Sequence, residues 1–280
     1  MGAKTGINWT DSTWNPIRGC SPVSQGCARC YAARVAHRFS GPGEPYEGLA
    51  DWRGGRAVFN GTIRLVHSAL DQPLRWKRPR RIFVNSMSDL FHENVPGRVV
   101  DDVFAVMAEA HWHTFQVLTK RPKRAADWFA SVAVPLPNVW LGVSVEDQKA
   151  ADERIPLLLQ CPAAVRFLSC EPLLGRVSIC QWMFRRETAE RFPDHAGQRI
   201  GWVIAGGESG PGARPMHPDW ARSLRDQCAA AGVPFLFKQW GDKPPEEAFK
   251  SVPLVNAVMH AKHCGRMLDG RTHDEFPAAT

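Results

Sequence analysis

Ile82-Phe83-Val84-Asn85-Ser86-Met87-Ser88-Asp89 changes character partway along. An apolar run is followed at once by amide, hydroxyl and carboxylate side chains. A short apolar run without alternation fits a strand buried on both faces, as in parallel sheets. Next comes a stretch with helical periodicity, Arg98-Val99-Val100-Asp101-Asp102-Val103-Phe104-Ala105-Val106-Met107, and then a second apolar run near Phe115. Further runs begin near Val139, Val165, Trp202 and Phe235, at spacings of about 25–35 residues, the length of one strand–helix unit. Trp220 to Cys228 is another helical stretch. Strands alternating with helices imply a parallel sheet covered by helices. With a further strand expected from Trp14 to Ile17, the count reaches about seven. The fold class expected is α/β, a single (β/α) barrel, complete or partly open, with a doubly wound open sheet as the alternative.

These strands end alike, in Asn85-Ser86-Met87-Ser88-Asp89, Thr119-Lys120-Arg121, Ser144-Val145-Glu146-Asp147, Ser169-Cys170-Glu171, Gly207-Glu208-Ser209 and Lys238-Gln239-Trp240. In parallel barrels the site sits at the C-terminal strand ends, so these groups are expected on one rim. Asn85, Ser86, Ser88 and Asp89 suit an ammonium group and sugar hydroxyls, or else cap a helix. Lys120 and Arg121 suit a carboxylate or phosphate, or else form a basic surface turn. Ser144 stands on the same rim. Glu146 and Glu171 would each need a buried partner such as Lys238. Cys170 at the rim can donate a hydrogen atom; as a base rate, a free cysteine is a small buried hydrophobe. His92 and His217 lie near the rim without ligand spacing, and Cys161, Cys180, Cys228 and Cys264 read as structural.

The first strand leads into Trp14-Asn15-Pro16-Ile17-Arg18-Gly19-Cys20-Ser21-Pro22-Val23-Ser24-Gln25-Gly26-Cys27-Ala28-Arg29-Cys30-Tyr31. Gly19, Pro22 and Gly26 make it a loop, and a helical run from Ala32 to Phe39 follows. Cys20, Cys27 and Cys30 are spaced C-x6-C-x2-C. Three soft thiolates at a helix N-terminus point to a metal site. Zinc in a structural site needs a fourth ligand, which His37 would supply. An iron–sulfur cluster held by three thiolates would instead keep one iron open to a small molecule. Eight cysteines scattered through 280 residues, with no leader at the N-terminus, read as reduced and cytoplasmic rather than disulfide-bonded.

The net charge of +7 is concentrated in two runs, Arg75 to Arg81 and Lys120 to Arg124. Such runs attract polyanions or simply keep a surface solvated. The eleven tryptophans add stacking groups, although most belong in a core. Nothing approaches a membrane span. Residues 1–61 are expected to form the cysteine loop and a lid, 62–241 the strand–helix units and 242–280 an extension. Within the lid, residues 40–62 read as loop. A charged helix is expected at residues 178–200, carrying Arg185, Arg186, Glu187, Glu190 and Arg191. Near the end, Asp269-Gly270 marks a hairpin that would cover the barrel mouth.

Cys27-Ala28-Arg29-Cys30-Tyr31 resembles the C-x2-C-aromatic end of the radical S-adenosylmethionine motif, with a first gap of six residues in place of three. Gly206-Gly207-Glu208 resembles that superfamily's amine-binding segment, although it follows the sixth strand here and not the second. Gly6-Ile7-Asn8-Trp9-Thr10, the cysteine core, Phe83 to Phe91, Leu118 to Pro122 and Ala205 to Gly210 together resemble a phage- and prophage-borne three-cysteine family. The resemblance covers about Gly6 to Pro277. It implies a 4Fe-4S cluster on Cys20, Cys27 and Cys30 and S-adenosyl-L-methionine at the open iron. Asn85, Ser86, Ser88, Asp89, Lys120, Ser144, Glu146 and Glu208 would serve the cofactor, and Cys170, Glu171 and Lys238 the chemistry. It further implies a 5′-deoxyadenosyl radical, an electron donor such as flavodoxin or ferredoxin, and a DNA base as substrate. The specific expectation is thymine hypermodification, for example moving the attachment of an amino-acid adduct. A zinc-stabilised nucleic-acid binder, and a radical enzyme acting on a small molecule or peptide, are the alternatives.

Overall fold

A computed structural model describes residues 5–131, 136–183, 198–249 and 265–278. The chain divides into two compact units. One runs to Val143 and takes in Cys161–Ala164; the other holds Ser144–Gln160 and the chain from Val165 onward.

The first unit begins with β1 (Ser12–Trp14), β2 (Ile17–Arg18), α1 (Tyr31–Arg38), β3 (Ala50–Arg53), β4 (Arg56–Phe59), β5 (Arg64–Leu65) and α2 (His67–Leu70). It continues through β6 (Arg81–Val84), α3 (Gly97–Glu109), β7 (Thr114–Thr119), α4 (Pro122–Phe129) and β8 (Val139–Ser144). Strands β1, β6, β7 and β8 are parallel neighbours in that order. Their register lines up Trp14, Val84, Val117 and Leu141, all fully buried. Burying side chains of this size contributes about 1.5–3 kcal/mol each. Every residue of β8 is buried, which is why its sequence shows no alternation. Helix α3 buries Val100, Val103, Phe104 and Met107, a spacing of three and four that keeps them on one face.

The second unit holds α5 (Gln148–Gln160), β9 (Val165–Cys170), β10 (Trp202–Gly206), α6 (Pro218–Ala231), β11 (Phe235–Gln239), β12 (Met267–Leu268) and β13 (Arg271–Thr272). Strands β9, β10 and β11 are parallel. Gly232, with φ +62, ends α6 in the left-handed conformation that glycine adopts without penalty. The open edge of β11 is covered from within the chain. The Phe237 amide donates to the His273 carbonyl at 2.9 Å, and Leu236 bridges Asp274 in antiparallel fashion. Covering an edge in this way removes a row of unpaired backbone groups.

The seven parallel strands follow the order β1-β6-β7-β8-β9-β10-β11. That order advances along the chain without reversing, as in a partly open (β/α) barrel and unlike a doubly wound sheet, which reverses at a switch point.

Two local expectations change, one holds, and the basic run finds its place. The first strand stops at Trp14, because Pro16 has no N–H to continue a ladder; Ile17 and Arg18 pair antiparallel with β5 instead. Within residues 40–62 lies a hairpin, β3 with β4, closed by Gly54-Gly55, both at positive φ. The Asp269-Gly270 hairpin does form, with φ values of +52 and +79. It is tied to α6, where Arg222 and Arg225 both bond Asp269. Finally, the basic run from Arg75 enters β6 at its first residue, so it stands at the opposite end of that strand from Asn85 to Asp89. There Arg81 pairs with Asp11, and Arg80 lies 4.9 Å over the Trp76 ring. The expected charged helix with Arg185, Arg186, Glu187, Glu190 and Arg191, and Cys264, lie outside the described residues. Among the described residues, no helix is long and apolar enough to cross a membrane.

Candidate functional site

The cysteine loop leaves β2 at Gly19, which bridges Ser88 beyond the end of β6. This contact brings the loop to the strand-end rim of the first unit. Cys30 stands at the N-cap of α1. The face of α1 carrying Ala32, Ala33 and Ala36 packs on Tyr46, Leu49, Ala50, Phe59 and Met87, and Cys20 and Cys30 rest against that same cluster. Small alanines let the helix sit close, so the packing that builds α1 also sets two of the three sulfurs.

Cys20, Cys27 and Cys30 are all free thiols. Burial pushes the Cys20 thiol up to about 12; the neighbouring Asp89 and the other two cysteines add to this, while Arg121 opposes it. The Cys30 thiol is also raised by burial and by Cys27, against the pull of the Ala33 and Ala32 amides at the head of the helix. Cys20 thus feels both other sulfurs, and Cys30 feels Cys27. A thiol that resists losing its proton is stabilised as thiolate by a bound cation.

Arg121 is the clasp of this loop. Its Nη1 donates to Cys20 Sγ at 3.7 Å and to Asp89 Oδ2 at 3.3 Å, and its Nη2 donates to the Ser21 carbonyl at 3.2 Å and to Ser21 Oγ at 2.8 Å. Nε donates to Glu93 Oε2 at 2.5 Å. Ser21 Oγ in turn donates to Glu93 Oε1 at 3.0 Å. The Asn94 amide donates to His92 Nδ1 at 3.0 Å, which leaves Nε2 as the protonated nitrogen, 2.8 Å from Ser21 Oγ. Burial, followed by the Arg121 charge, lowers the His92 pKa and keeps the ring neutral. Ser21 therefore accepts a hydrogen bond from the histidine and is not activated by it as a nucleophile would be.

Asp89 is buried beneath this network. It accepts from Thr119 Oγ1 at 2.7 Å, the Lys120 amide at 2.9 Å and the Phe91 amide at 3.0 Å, besides Arg121. Ser88 Oγ donates to the Ile17 carbonyl, and Ser86 Oγ to Asn15 Oδ1. Lys120 lies half-buried beside them. Asn85 differs from all of these. It is 2 % exposed, has φ +58, and neither atom of its side-chain amide has a partner among the described residues. A buried amide without a partner costs about 1–3 kcal/mol, and left-handed backbone at a non-glycine residue adds to that cost. Such a residue at a strand end is built to receive something.

Glu93 yields a pH prediction. The Arg121 hydrogen bond, opposed in part by burial, brings its carboxyl down from 4.5 to about 2. A depressed carboxylate adds stability above its ordinary value and loses it as the pH falls toward the folded one. Thermal melts should therefore show the wild-type chain weakening as the pH drops from about 4.5 toward 2, with a shallower slope in Glu93→Gln. Equal slopes would remove Glu93 from the clasp.

In the second unit the strand ends carry three ion pairs. Glu146, 1 % exposed, meets Arg154 Nη1 at 2.8 Å, and the same nitrogen donates to the Ser144 carbonyl at 2.7 Å. The partner of Glu146 thus comes from α5, whereas Glu171 takes Lys238, 3.0 Å away. Glu208 binds Arg214 through the Arg214 amide and Nε, both at 2.9 Å, and through Nη2. Gly206 and Gly207 have a packing reason. A Cβ on the first would stand 2.5 Å from Glu171 Oε1, and one on the second 1.9 Å from the Trp240 carbonyl oxygen. Cys170 is fully buried, which raises its thiol well above the ordinary value. His217 caps α6 by accepting from the Asp219 amide.

The donor set of the first unit fits an iron–sulfur cluster: three thiols, no disulfide, and a cationic donor on one sulfur. Among the described residues no three His, Cys, Asp or Glu side chains, these three cysteines included, stand where they would hold one metal ion. His37, the zinc candidate, packs at a tilt against Trp52, with ring centroids 5.2 Å apart. The residues missed in sequence are Asn15, Ser21, Glu93 and Arg154; only the adjacency of Ser21 to Cys20 offered a signal.

Comparisons with known proteins give little further. A family profile described as "Protein of unknown function (DUF5131)" matches residues 4–277. No curated protein matches. A solved structure, "Spore photoproduct lyase complexed with dinucleoside spore photoproduct", aligns with a TM-score of 0.40 and 12% identity over 82% of this chain and 77% of that one. A likeness this slight assigns neither fold nor activity.

Proposed function

The chain belongs to the DUF5131 family, whose activity is not described, and from its own residues we propose that it is a radical S-adenosylmethionine enzyme acting on a nucleic-acid base. The observation that carries this is the three free thiols of the loop that leads into α1, two of them packed on one cluster, on the rim that also holds Asn85, whose amide has no partner among the described residues. Cys20, Cys27 and Cys30 would hold a 4Fe-4S cluster, which when bound supplies the electron that splits the sulfonium cofactor into methionine and a 5′-deoxyadenosyl radical.

The chain's own residues do the rest. Arg121, Ser21 and Glu93 fix the Cys20 arm, so the loop is set before anything binds. Asn85 offers both a donor and an acceptor to a polar ligand, the pairing that a sugar hydroxyl or an amino-acid end uses. Lys120, Ser86 and Ser88 complete the polar rim. In the second unit, Cys170 is fully buried, the usual state of a free thiol, and the Glu171–Lys238 pair stands at two strand ends. A base within a duplex would have to be flipped out to reach such a rim. The finer reading is a tailoring or isomerising step on a modified thymine.

The test is purification without oxygen, followed by metal analysis and assay. Iron with sulfide, a brown absorbance, and release of 5′-deoxyadenosine from reduced protein and S-adenosylmethionine are expected. Consumption of a modified-thymine DNA, and not of a small-molecule panel, would support the base as substrate. Zinc without iron would refute the reading.

A further inference from the structure

We propose that the outward face of α1, together with Trp52 on β3, is a stacking surface for single-stranded nucleic acid. This deepens the functional reading by naming the form of the substrate, although the binding itself does not require the cluster.

The face is unusual for a short helix. With Ala32, Ala33 and Ala36 turned inward, the remaining arc shows Tyr31, Arg34, Val35, Arg38 and, just past the helix end, Phe39. Tyr31 is 44 % exposed, Phe39 42 % and Trp52 61 %. Of the eleven tryptophans only Trp52 is exposed; the rest are buried or half-buried. Large apolar groups are normally exposed singly, and a cluster marks an interaction site. Here three of the exposed groups are aromatic rings, and Val35 is the one aliphatic residue on the helix among them.

The charges around the rings suit a polyanion. Residues 20–39 contain Arg29, Arg34 and Arg38 and no carboxylate. No salt bridge to a described residue engages Arg34 or Arg38. The Arg38 guanidinium lies 5.5 Å from the Phe39 ring, and His37 packs at a tilt against Trp52. Rings with cations beside them are the parts of a single-strand platform, where bases stack and phosphates meet arginine. The Tyr31 hydroxyl donates to the Ser86 carbonyl at 2.7 Å, which ties one end of the stripe to the strand-end rim. Because α1 starts directly after Cys30, a strand lying on this face runs toward the cysteine loop. A duplex hides its base faces, so a preference for single strands follows.

The experiment is anisotropy titration of a fluorescein-labelled oligothymidylate, single-stranded and annealed to its complement, on the full chain. The single strand should bind more tightly and quench Trp52 fluorescence. Trp52→Ala and Phe39→Ala should each weaken binding roughly tenfold, one stacked base each. Arg34→Gln with Arg38→Gln should flatten the salt dependence by about 0.7 in log–log slope for each phosphate that an arginine no longer neutralises. Iron content should not change in any of these variants, and circular dichroism should confirm that they fold; Trp52 and Phe39 are both exposed. Absence of binding at low salt, or binding indifferent to these substitutions, overturns the proposal. Loss of a reduced acidic flavodoxin's binding in the same variants, with oligothymidylate unaffected, would give the face to a protein partner and likewise overturn it. A chain that binds the strand through these residues yet carries no iron would refute the radical reading and leave this one standing.

Discussion

Cys20→Ala, Cys27→Ala and Cys30→Ala are each expected to strip iron from the chain and end 5′-deoxyadenosine release, whereas Cys161→Ala and Cys228→Ala keep both. The effect should be near total, because a cluster on three thiolates has no spare protein ligand. Folding should largely survive. Cys20 is half-buried, and its arm is still gripped through Ser21 by Arg121. The two control thiols are fully buried, so their removal tests packing alone. His37→Ala separates the metals. A Cys3His zinc site would lose its ion, whereas the cluster reading predicts unchanged iron, because three cysteines hold the cluster without His37. Iron retained in all three cysteine variants would end the ligand assignment.

Much of the scaffold was legible because burial on both faces leaves an unmistakable pattern. Runs expected near Ile82, Phe115, Val139, Val165, Trp202 and Phe235 became strands starting at Arg81, Thr114, Val139, Val165, Trp202 and Phe235. The β3–β4 hairpin was missed because glycine-rich and proline-rich flanks suggest loop, although Gly54-Gly55 between two arginines was a turn signal. That the cysteines sit on a loop could be read from Gly19, Pro22 and Gly26. Its clasp could not be, because Arg121 reaches Cys20 and Ser21 across about a hundred residues of chain and no local rule predicts that contact. The cationic partner of Glu171 was foreseen in Lys238, whereas that of Glu146 was missed although Arg154 lies close by in sequence, on the following helix. The Gly206-Gly207 pair shows a motif with a second cause: the strand end needs glycine for contact with Glu171 and Trp240 whatever Glu208 does.

Gly19→Ala should be severely damaging although it touches no reactive atom. Gly19 has φ +91, and a Cβ there would stand 2.0 Å from the Thr62 carbonyl oxygen and 3.2 Å from its carbon. Both are backbone atoms, so no side chain can swing aside. Alanine would pay about 1–2 kcal/mol for the left-handed conformation alone, and the clash raises the loss to about 4 kcal/mol or more, the range of severe single substitutions. The strain has a direction. Thr62 is held through its amide by Asn60, and the neighbouring Gly61 amide donates to the Cys20 carbonyl at 3.0 Å. Opening the Gly19–Thr62 contact therefore pulls on the residue carrying the first thiol. Iron content should fall along with the melting temperature. Gly43→Ala is the control, with φ +78 and nothing within 4 Å of the added carbon. It should show only the conformational cost and keep its iron. If Gly19→Ala loaded iron as well as Gly43→Ala, the close approach of the loop to Thr62 would not be what places Cys20.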